Sequence, residues 1–217
     1  MKMQWLGHAC FLITTSGNLR ILTDPYDSSI GLKLPPVSAD IITTSHGHFD
    51  HAAVSEVQGT PKVVNSTEGL DLGKVKIRGV ATYHDEHKGA ERGQNIIFLI
   101  EIIEGRETFT ICHAGDLGHT LTPPTLERLT GVDVLLIPVG GFYTIDGVGA
   151  RKVTEQIKPR IVIPMHYKIR GVSLNISGAE KFLEGKKDVK RLNELVLTNR
   201  AELPPETQVI LLEKANL

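Results

Sequence analysis

The chain has 217 residues, of which 41% are hydrophobic and 23% are charged, and its formal net charge is −1. These values are typical of a globular protein with a buried core, whereas a dedicated nucleic-acid binder usually carries a strong basic excess. The first residues lack the long apolar run of a signal peptide, and no stretch reaches the roughly 18 apolar residues of a membrane-spanning helix. We therefore expect a single cytoplasmic domain over residues 1–217, with neither a membrane nor a nucleic acid as its partner.

Strand signals dominate the first half of the chain. The apolar runs Trp5–Thr14 and Leu19–Thr23 flank the turn-forming sequence TSGN and predict a β-hairpin. Short apolar or β-branched segments predict further strands at Asp40–Thr44, Lys62–Asn65, Val75–Ile77, Val80–Thr82, Asn95–Ile103 and Thr108–Cys112. The two cysteines, Cys10 and Cys112, lie inside such apolar runs, so we interpret them as core residues rather than metal ligands.

Helical patterns alternate with strands in the second half. Predicted helices cover Pro123–Leu129, Val148–Ile157 and Ser177–Leu183, and predicted buried strands cover Val132–Val139, Arg160–Met165 and Gln208–Leu212. Thr122 and Ser177 are suited to N-cap positions, while Pro159 and Gly185 are suited to ending the helices before them. This order of elements predicts two packed sheets with helices on the outside.

Four candidate metal ligands fall within six residues, in the sequence His46-Gly-His48-Phe-Asp50-His51. At the end of an extended strand, positions i and i+2 project to the same side, so His46 and His48 can bind one ion together. If the chain then turns into a helix, Asp50 and His51 point to a neighbouring position and can begin a two-metal site. The alternative is a polar loop, but so dense a titratable group costs stability without a metal or another strong partner.

The H-x-H-x-D-H sequence after a short apolar strand resembles the signature of the metallo-β-lactamase superfamily. Further segments that match this family are Trp5-Leu-Gly-His8, Thr23-Asp24-Pro25, Thr82-Tyr-His84, Ala114-Gly115-Asp116 and Ile163-Pro-Met-His166. The resemblance covers essentially the whole chain and is closest to small stand-alone hydrolases similar to ascorbate-6-phosphate lactonase. It implies an α+β fold, a four-layer αββα sandwich with two mixed β-sheets packed face to face and helices outside.

The resemblance also implies a set of metal ligands. His46, His48 and His84 would bind a first metal, Asp50, His51 and His166 a second, and Asp116 would bridge both. We expect two Zn²⁺ per chain, although Mn²⁺ and Fe²⁺ also accept mixed histidine and carboxylate ligands. Asp50, His8 and Asp116 are the candidate catalytic residues. If one site is weak, we expect it to be the second.

Two interpretations are open for several polar residues near these motifs. Asp24 is a candidate for orienting metal ligands, and the histidines His8, His113 and His119 either line the site or serve as structural polar residues. In the polar segment 84–95, the side chains of His87, Lys88 and Arg92 either contact an anionic substrate group or are solvated. The phenols of Tyr143 and Tyr167 either donate to a developing oxyanion or pack against their neighbours.

The function that these residues predict is hydrolysis by a hydroxide bound between two metals. The substrate would be a small molecule with an ester, lactone or phosphodiester bond, and an anionic one if Lys88 or Arg92 contacts it. A nuclease of the same fold is one alternative, which the near-neutral charge disfavours. A non-catalytic metal-binding or sensor protein is another, which the complete ligand set disfavours.

Overall fold

The computed structural model describes residues 1–216, which form fourteen strands, three α-helices and three short 3₁₀ helices. The strands are β1 (Lys2–Gly7), β2 (Cys10–Thr14), β3 (Arg20–Thr23), β4 (Ile41–Thr43), β5 (Lys62–Val64), β6 (Leu70–Asp71), β7 (Val75–Tyr83), β8 (Gln94–Glu104), β9 (Glu107–His113), β10 (Val134–Pro138), β11 (Ile161–Met165), β12 (Val189–Leu192), β13 (Leu195–Val196) and β14 (Gln208–Leu212). The helices are α1 (Pro123–Glu127), α2 (Gly147–Ile157) and α3 (Glu180–Leu183), with 3₁₀ helices at Ser28–Ile30, Val54–Glu56 and Arg200–Glu202. Within residues 1–216, none of the helices has the length and apolar character needed to span a membrane.

The strands form two mixed sheets. The first has the order β13-β1-β2-β3-β4-β5 and changes from antiparallel to parallel pairing at β3. The second has the order β12-β14-β11-β10-β9-β8-β7-β6, parallel from β12 to β9 and antiparallel beyond. The predicted pair of mixed sheets is confirmed.

Three hydrophobic clusters correspond to the layers of a sandwich. The central cluster joins side chains of both sheets, such as Phe11 of the first and Phe98 of the second. A second cluster joins the other face of the second sheet to the helices through Val153 and Phe182. A third covers the outer face of the first sheet with side chains from loops and the first 3₁₀ helix, such as Ile30. The sandwich fold is therefore confirmed, with a helical layer that is thin over the first sheet.

Three local predictions were wrong or incomplete. The run Trp5–Thr14 is two strands rather than one, because Gly7 and His8 take φ of +110° and +53° and reverse the chain. The segments Val75–Ile77 and Val80–Thr82 join in β7, since the residues between them continue the antiparallel register with β8. Ser177 caps no helix: its N–H donates to the carbonyl of Gly140, and α3 begins only at Glu180.

The strand directions define two edges of the sandwich. In the first sheet β1, β3 and β4 run the same way, and in the second sheet so do β7, β9, β10 and β11. We call the edge formed by the carboxyl ends of these strands the ligand edge and the other the opposite edge. Loops at the carboxyl ends of parallel strands are where α/β proteins commonly bind ligands.

Candidate metal centre

Every predicted site residue follows a strand that ends at the ligand edge. His8 follows β1, Asp24 follows β3, His46 to His51 follow β4, His84 follows β7, Asp116 follows β9 and His166 follows β11. No α-helix follows the His46 to His51 motif; the chain makes turns and then the 3₁₀ helix Val54–Glu56. Side chains that are far apart in the sequence thereby meet in two neighbouring clusters.

The first cluster consists of imidazoles alone. The ring centroids of His46 and His48 are 4.5 Å apart, those of His46 and His84 are 4.7 Å apart, and those of His48 and His84 are 5.2 Å apart. One ligand nitrogen from each of the three rings lies within 4.8 Å of the others. His48 is exposed, His46 half-buried and His84 buried, so this cluster opens to solvent. Its members are the three residues predicted for the first metal.

The second cluster is buried and contains a carboxylate. Asp50, His51 and His166, the residues predicted for the second metal, lie together with His8. The Oδ2 atom of Asp50 is 3.2 Å from Nε2 of His8 and 3.5 Å from Nε2 of His51. The rings of His8 and His166 have centroids 4.0 Å apart. Of the two interpretations given for His8, its position favours the one in which it lines the site.

Asp116 lies between the two clusters. Its Oδ2 atom is 3.1 Å from Nε2 of His84 in the first cluster and 3.3 Å from Nε2 of His166 in the second. Its Oδ1 atom is 3.2 Å from Nε2 of His51. A carboxylate that reaches both clusters at once has the placement that a bridging ligand requires.

Buried Asn95 holds the backbone on which Asp116 sits. The Oδ1 atom of Asn95 accepts the Asp116 N–H at 2.8 Å, and its Nδ2 donates to the Ala114 carbonyl at 3.0 Å. Gly115 has φ of +54°, and a Cβ there would lie 2.3 Å from Asn95 Oδ1, so only glycine fits. Asn95 was not predicted as a site residue, because an asparagine at the start of an apolar strand carries no local signal of this contact.

Asp24 orients two candidate ligands, as its position in the sequence suggested. Its Oδ2 atom accepts the Nδ1–H of His51 at 2.8 Å and the Ser45 hydroxyl at 2.5 Å. The same hydroxyl oxygen is 3.0 Å from Nδ1 of His46. With Nδ1 engaged, each ring turns its Nε2 toward the clusters. Such supporting hydrogen bonds normally fix the tautomer and orientation of metal-binding histidines.

The charges of the centre are unbalanced without a cation. Burial raises the pKa of Asp50 and of Asp116, but the neighbouring histidines outweigh it and hold each carboxyl pKa well below its ordinary value. Burial lowers the pKa of His8 and of His46 to about 3, so these rings are neutral. His51 behaves oppositely, because Asp116 and Asp50 outweigh burial and raise its pKa. The carboxylates therefore require a positive charge at this point, from a proton or a metal ion.

Unpaired buried atoms test whether the centre suits a metal. Among residues 1–216, the buried side-chain atoms without a hydrogen-bond partner include Nε2 of His46, His51 and His166 and Oδ1 of Asp116. Leaving a buried polar atom unpaired costs about 1–3 kcal/mol, so such a concentration indicates a missing ligand. Neutral imidazoles and ionised carboxylates are the donors that Zn²⁺, Mn²⁺ and Fe²⁺ accept. The residues present therefore fit a metal centre.

The remaining histidines lie outside both clusters. His113 is buried, and its Nε2 donates to the Ala9 carbonyl at 2.8 Å, which ties the two sheets together. His119 is half-exposed and accepts the N–H of Tyr83 at 3.3 Å. The ring of His87 is largely exposed. These contacts favour the structural or solvated interpretation for all three.

A single carboxylate organises the segment that follows His84. Asp85 accepts the backbone N–H groups of four residues, His87, Gly89, Glu91 and Arg92, at 2.8–3.0 Å. Burial raises the pKa of Asp85, but these donors outweigh it and lower the pKa to about 2. The polar segment predicted as a loop is therefore a fixed turn at the rim of the centre.

A cavity of about 310 Å³ opens directly over the centre. Its floor includes His48, Asp50, His84 and Asp116, and its walls are Phe49, Glu91, Arg92, Tyr143 and Leu174. A second cavity of about 620 Å³ adjoins it and shares His84, Glu91, Arg92 and Tyr143. Of the two tyrosines with open roles, Tyr143 faces these cavities, whereas Tyr167 stacks on Trp5 with ring centroids 5.2 Å apart.

Comparison with known proteins agrees with this geometry. Residues 2–166, which include all the candidate ligands, match the family described as the beta-lactamase superfamily domain. A UPF0173 metal-dependent hydrolase of Thermoplasma volcanium is 31% identical over 193 residues, covering 77% of this chain and 83% of the relative. A UPF0173 protein of Pyrococcus furiosus is 32% identical over 191 residues, with the same coverage.

A solved structure extends the similarity to almost every residue. A Thermotoga maritima protein, described as a candidate Zn-dependent hydrolase of the metallo-beta-lactamase superfamily, is 37% identical with a TM-score of 0.77. The match covers 98% of this chain and 99% of that one. Together with the two-cluster geometry at the ligand edge, these similarities show that the chain belongs to the metallo-β-lactamase superfamily.

Proposed function

We propose that this protein is a metal-dependent hydrolase that cleaves an ester, lactone or phosphodiester bond of a small molecule. It would bind two divalent cations, and Zn²⁺ is the metal we expect. The observation that carries the proposal is the position of Asp116, within 3.3 Å of ligand nitrogens from both clusters. The description of several relatives as metal-dependent hydrolases supports it.

The ligand assignment follows the two clusters. His46, His48 and His84 would hold one cation, Asp50, His51 and His166 the other, and Asp116 would contact both. When bound, such a pair of cations lowers the pKa of a water molecule and polarises the oxygen of the scissile carbonyl or phosphoryl group.

Asp50 is the residue we assign to proton transfer. It lies on the floor of the 310 Å³ cavity, where a substrate can reach it. Its carboxylate would accept a proton from the attacking water and return it to the leaving alcohol, so that water and ester become acid and alcohol. Burial raises the pKa of Asp50, but neighbouring His51 outweighs it and keeps this carboxylate ionised.

His8 positions Asp50 in this scheme. Its Nε2–H lies 3.2 Å from Oδ2 of Asp50 and donates to it. The backbone of His8 is fixed in turn, because its carbonyl accepts both the Nε1–H of Trp5 at 2.9 Å and the N–H of His166 at 3.1 Å. A group held on rigid elements in this way is placed more accurately than one on a mobile loop.

Metal analysis and a substrate screen test the proposal. Protein purified without chelators should contain close to two equivalents of transition metal, and chelation should abolish hydrolysis in a screen of esters, lactones and phosphodiesters. Asp50→Asn should lose turnover, while Asp188→Asn, at an exposed carboxylate, should behave as wild type. Activity that remains after complete removal of the metal would contradict the proposal. Two bound metals without any turnover would instead favour the sensor alternative.

A further inference from the structure

Exposed apolar side chains gather around the metal centre. In residues 1–216 eight large apolar side chains are conspicuously exposed. Four of them, Phe49, Val63, Phe142 and Val148, line cavities whose walls also include candidate ligands. Phe49 and Phe142 have exposed fractions of 52% and 63%. Exposed apolar groups concentrated in one region, rather than scattered singly, mark a surface that binds something apolar.

The aromatic side chains form a wall that lines two adjoining cavities. Phe49 lines the 310 Å³ cavity directly over Asp50 and Asp116, together with Tyr143 and Leu174. Phe142 lines the adjoining 620 Å³ cavity and not the 310 Å³ cavity, and its ring packs edge-on against Tyr143 with centroids 4.7 Å apart. An apolar group bound near the carboxylates would therefore contact Phe49 first, and only a longer one would reach Phe142.

The backbone at Phe142 is held in an unfavourable conformation. Its φ is +63°, in the left-handed region that bulky L-residues avoid. The tight turn around it is closed by the N–H of Tyr143, which donates to the Gly141 carbonyl at 2.8 Å. Strained residues of this kind cluster at ligand-binding sites, where the surrounding structure enforces them. Phe142 is thus an exposed aromatic ring that the fold holds at the cavity wall.

Apart from the candidate ligands, the charges at the 310 Å³ cavity cancel. The other charged side chains described there are Glu91 and Arg92. Nη1 of Arg92 lies 3.1 Å from Oε2 of Glu91, so the guanidinium already has an anionic partner. Lys88 lies outside both cavities described above. This arrangement does not complement a polyanion such as a nucleic acid.

We infer that the substrate of this centre carries an uncharged aryl or medium-length alkyl group beside the scissile bond, and that Phe49 and Tyr143, with Phe142 beyond them, receive that group. The inference rests on the proposed hydrolase function and narrows it to neutral esters and lactones with an apolar substituent. A volume of about 310 Å³ is at the lower end of the range for small-molecule sites, which suits one ring.

Calorimetric binding of hydroxamates to the zinc-loaded protein tests the inference without requiring turnover. Hydroxamates bind zinc through their own oxygens, so acetohydroxamate, benzohydroxamate and 4-phenylbenzohydroxamate differ only in the apolar tail. Wild type should bind benzohydroxamate more tightly than acetohydroxamate. Phe49→Ala should weaken benzohydroxamate about 5- to 20-fold and leave acetohydroxamate unchanged, because only the tail loses its aromatic contact.

Two further variants test whether Phe142 contacts only the longer probe and whether a substitution elsewhere on the surface changes binding. Phe142→Ala should weaken 4-phenylbenzohydroxamate and leave benzohydroxamate nearly unchanged. Leu192→Ala, at an exposed residue of the edge strand β12, should leave every affinity unchanged. Zinc content is measured for each variant, and Phe49→Leu replaces Phe49→Ala if the latter binds less metal. An equal loss for all three probes, or no loss for any, would overturn the inference.

Kinetics distinguish this inference from the proposed function. Dihydrocoumarin should be hydrolysed with a lower KM than γ-butyrolactone, and Phe49→Ala should remove that difference. Turnover of both lactones with equal KM would overturn the aryl preference and keep the hydrolase. Selective hydroxamate binding without turnover of any ester or lactone would overturn the hydrolase and keep the apolar site.

Discussion

Both edges of the sandwich bury acidic side chains, but at the ligand edge one of them, Asp116, has an oxygen without a hydrogen-bond partner in residues 1–216, whereas at the opposite edge Asp133 and Glu104 are paired within the chain. There, Asp133 accepts two hydrogen bonds from the Arg200 guanidinium at 2.6 and 2.7 Å and one from the Thr110 N–H at 2.9 Å. Glu104 accepts the N–H of Ser16 at 2.9 Å. At the ligand edge, Asp116 Oδ1 has no hydrogen-bond partner among the described residues. Asp133 thus stabilises the opposite edge, whereas Asp116 leaves the ligand edge open to a cation, although Asp24 and Asp85 at that edge are also paired within the chain.

The backbone repeats this difference. At the ligand edge, His8, Asp24, Phe142 and His166 all have φ between +37° and +63°. At the opposite edge, Asn18 also has φ of +63°, but it belongs to the β2–β3 hairpin turn, where asparagine tolerates this conformation. Within residues 1–216, four of the seven non-glycine residues with positive φ therefore belong to the centre and its wall. Lys88 lies in the segment at its rim, and Lys158 ends α2 in this conformation at the opposite edge.

The largest expected effect is that of Asp116→Asn. We expect turnover to fall by about a thousandfold or more, in the range seen when a central group of a catalytic site is removed. Metal content should drop below two equivalents. The metal-free variant should unfold at the same temperature as metal-free wild type or higher, because a buried unbalanced charge is gone. A metal-free variant much less stable than wild type would contradict the contrast between the edges.

Asp133→Asn is the matched change at the opposite edge. It should lower the free energy of unfolding by about 2–3 kcal/mol, less than for a fully buried pair because Arg200 is 45% exposed. Metal content and turnover of the folded protein should equal those of wild type. Denaturant unfolding with parallel metal analysis checks both statements, and a loss of bound metal in this variant would show that the two edges are coupled.

Asp24→Asn should have an intermediate effect. The variant loses the negative charge that holds His51 and the Ser45 hydroxyl, so metal affinity should fall about 10–100-fold while both sites still fill at high metal concentration. Competition with a fluorescent zinc chelator measures this loss. Asp40→Asn is the control, since that exposed carboxylate accepts the Arg20 N–H far along the strand from the centre. Unchanged affinity in Asp24→Asn would remove its orienting role.

The smallest expected effect is a gain in stability from Phe142→Gly. Relief of the left-handed conformation should raise the free energy of unfolding by up to about 1 kcal/mol, after the entropy cost of glycine is subtracted. Asn18→Gly, at the same φ, should change stability much less, because asparagine is already suited to it. A destabilised Phe142→Gly variant would mean that the exposed ring contributes packing that outweighs the strain.

Local sequence patterns predicted most strands and the longest helix, α2, to within one or two residues at each end. The strand Gln208–Leu212 has the predicted bounds, and β4 differs from its prediction by one residue at each end. The edge strand Val189–Leu192 was missed, because its two apolar residues are separated by Lys190 and Arg191 and do not alternate with polar ones. The turn at Gly7 and His8 was missed as well, since the apolar residues on both sides read as one run.

The candidate ligands between His46 and His51 could be proposed from their spacing, and His84, Asp116 and His166 could be proposed only from the resemblance to the metallo-β-lactamase superfamily. Their supporting residues could not. Asn95 and Ser45 act through hydrogen bonds to residues distant in sequence or to backbone groups whose positions depend on the fold. The difference in burial between the two clusters also could not be predicted from the sequence. Which of the two sites binds its metal more weakly therefore stays a prediction.

The four N–H groups gathered on Asp85 have a consequence for how selectivity can change. They fix the path of residues 86–92 through main-chain atoms, so this path does not depend on the side chains of Glu91 and Arg92. Glu91 and Arg92, which stand at the cavity wall, can be exchanged for other residues while the neighbouring His84 stays in place. Variants randomised at these two positions with Asp85 kept constant should differ in substrate selectivity and keep the metal centre unaltered. The same substitutions combined with a replacement of Asp85 should disturb both the path of the segment and the position of His84.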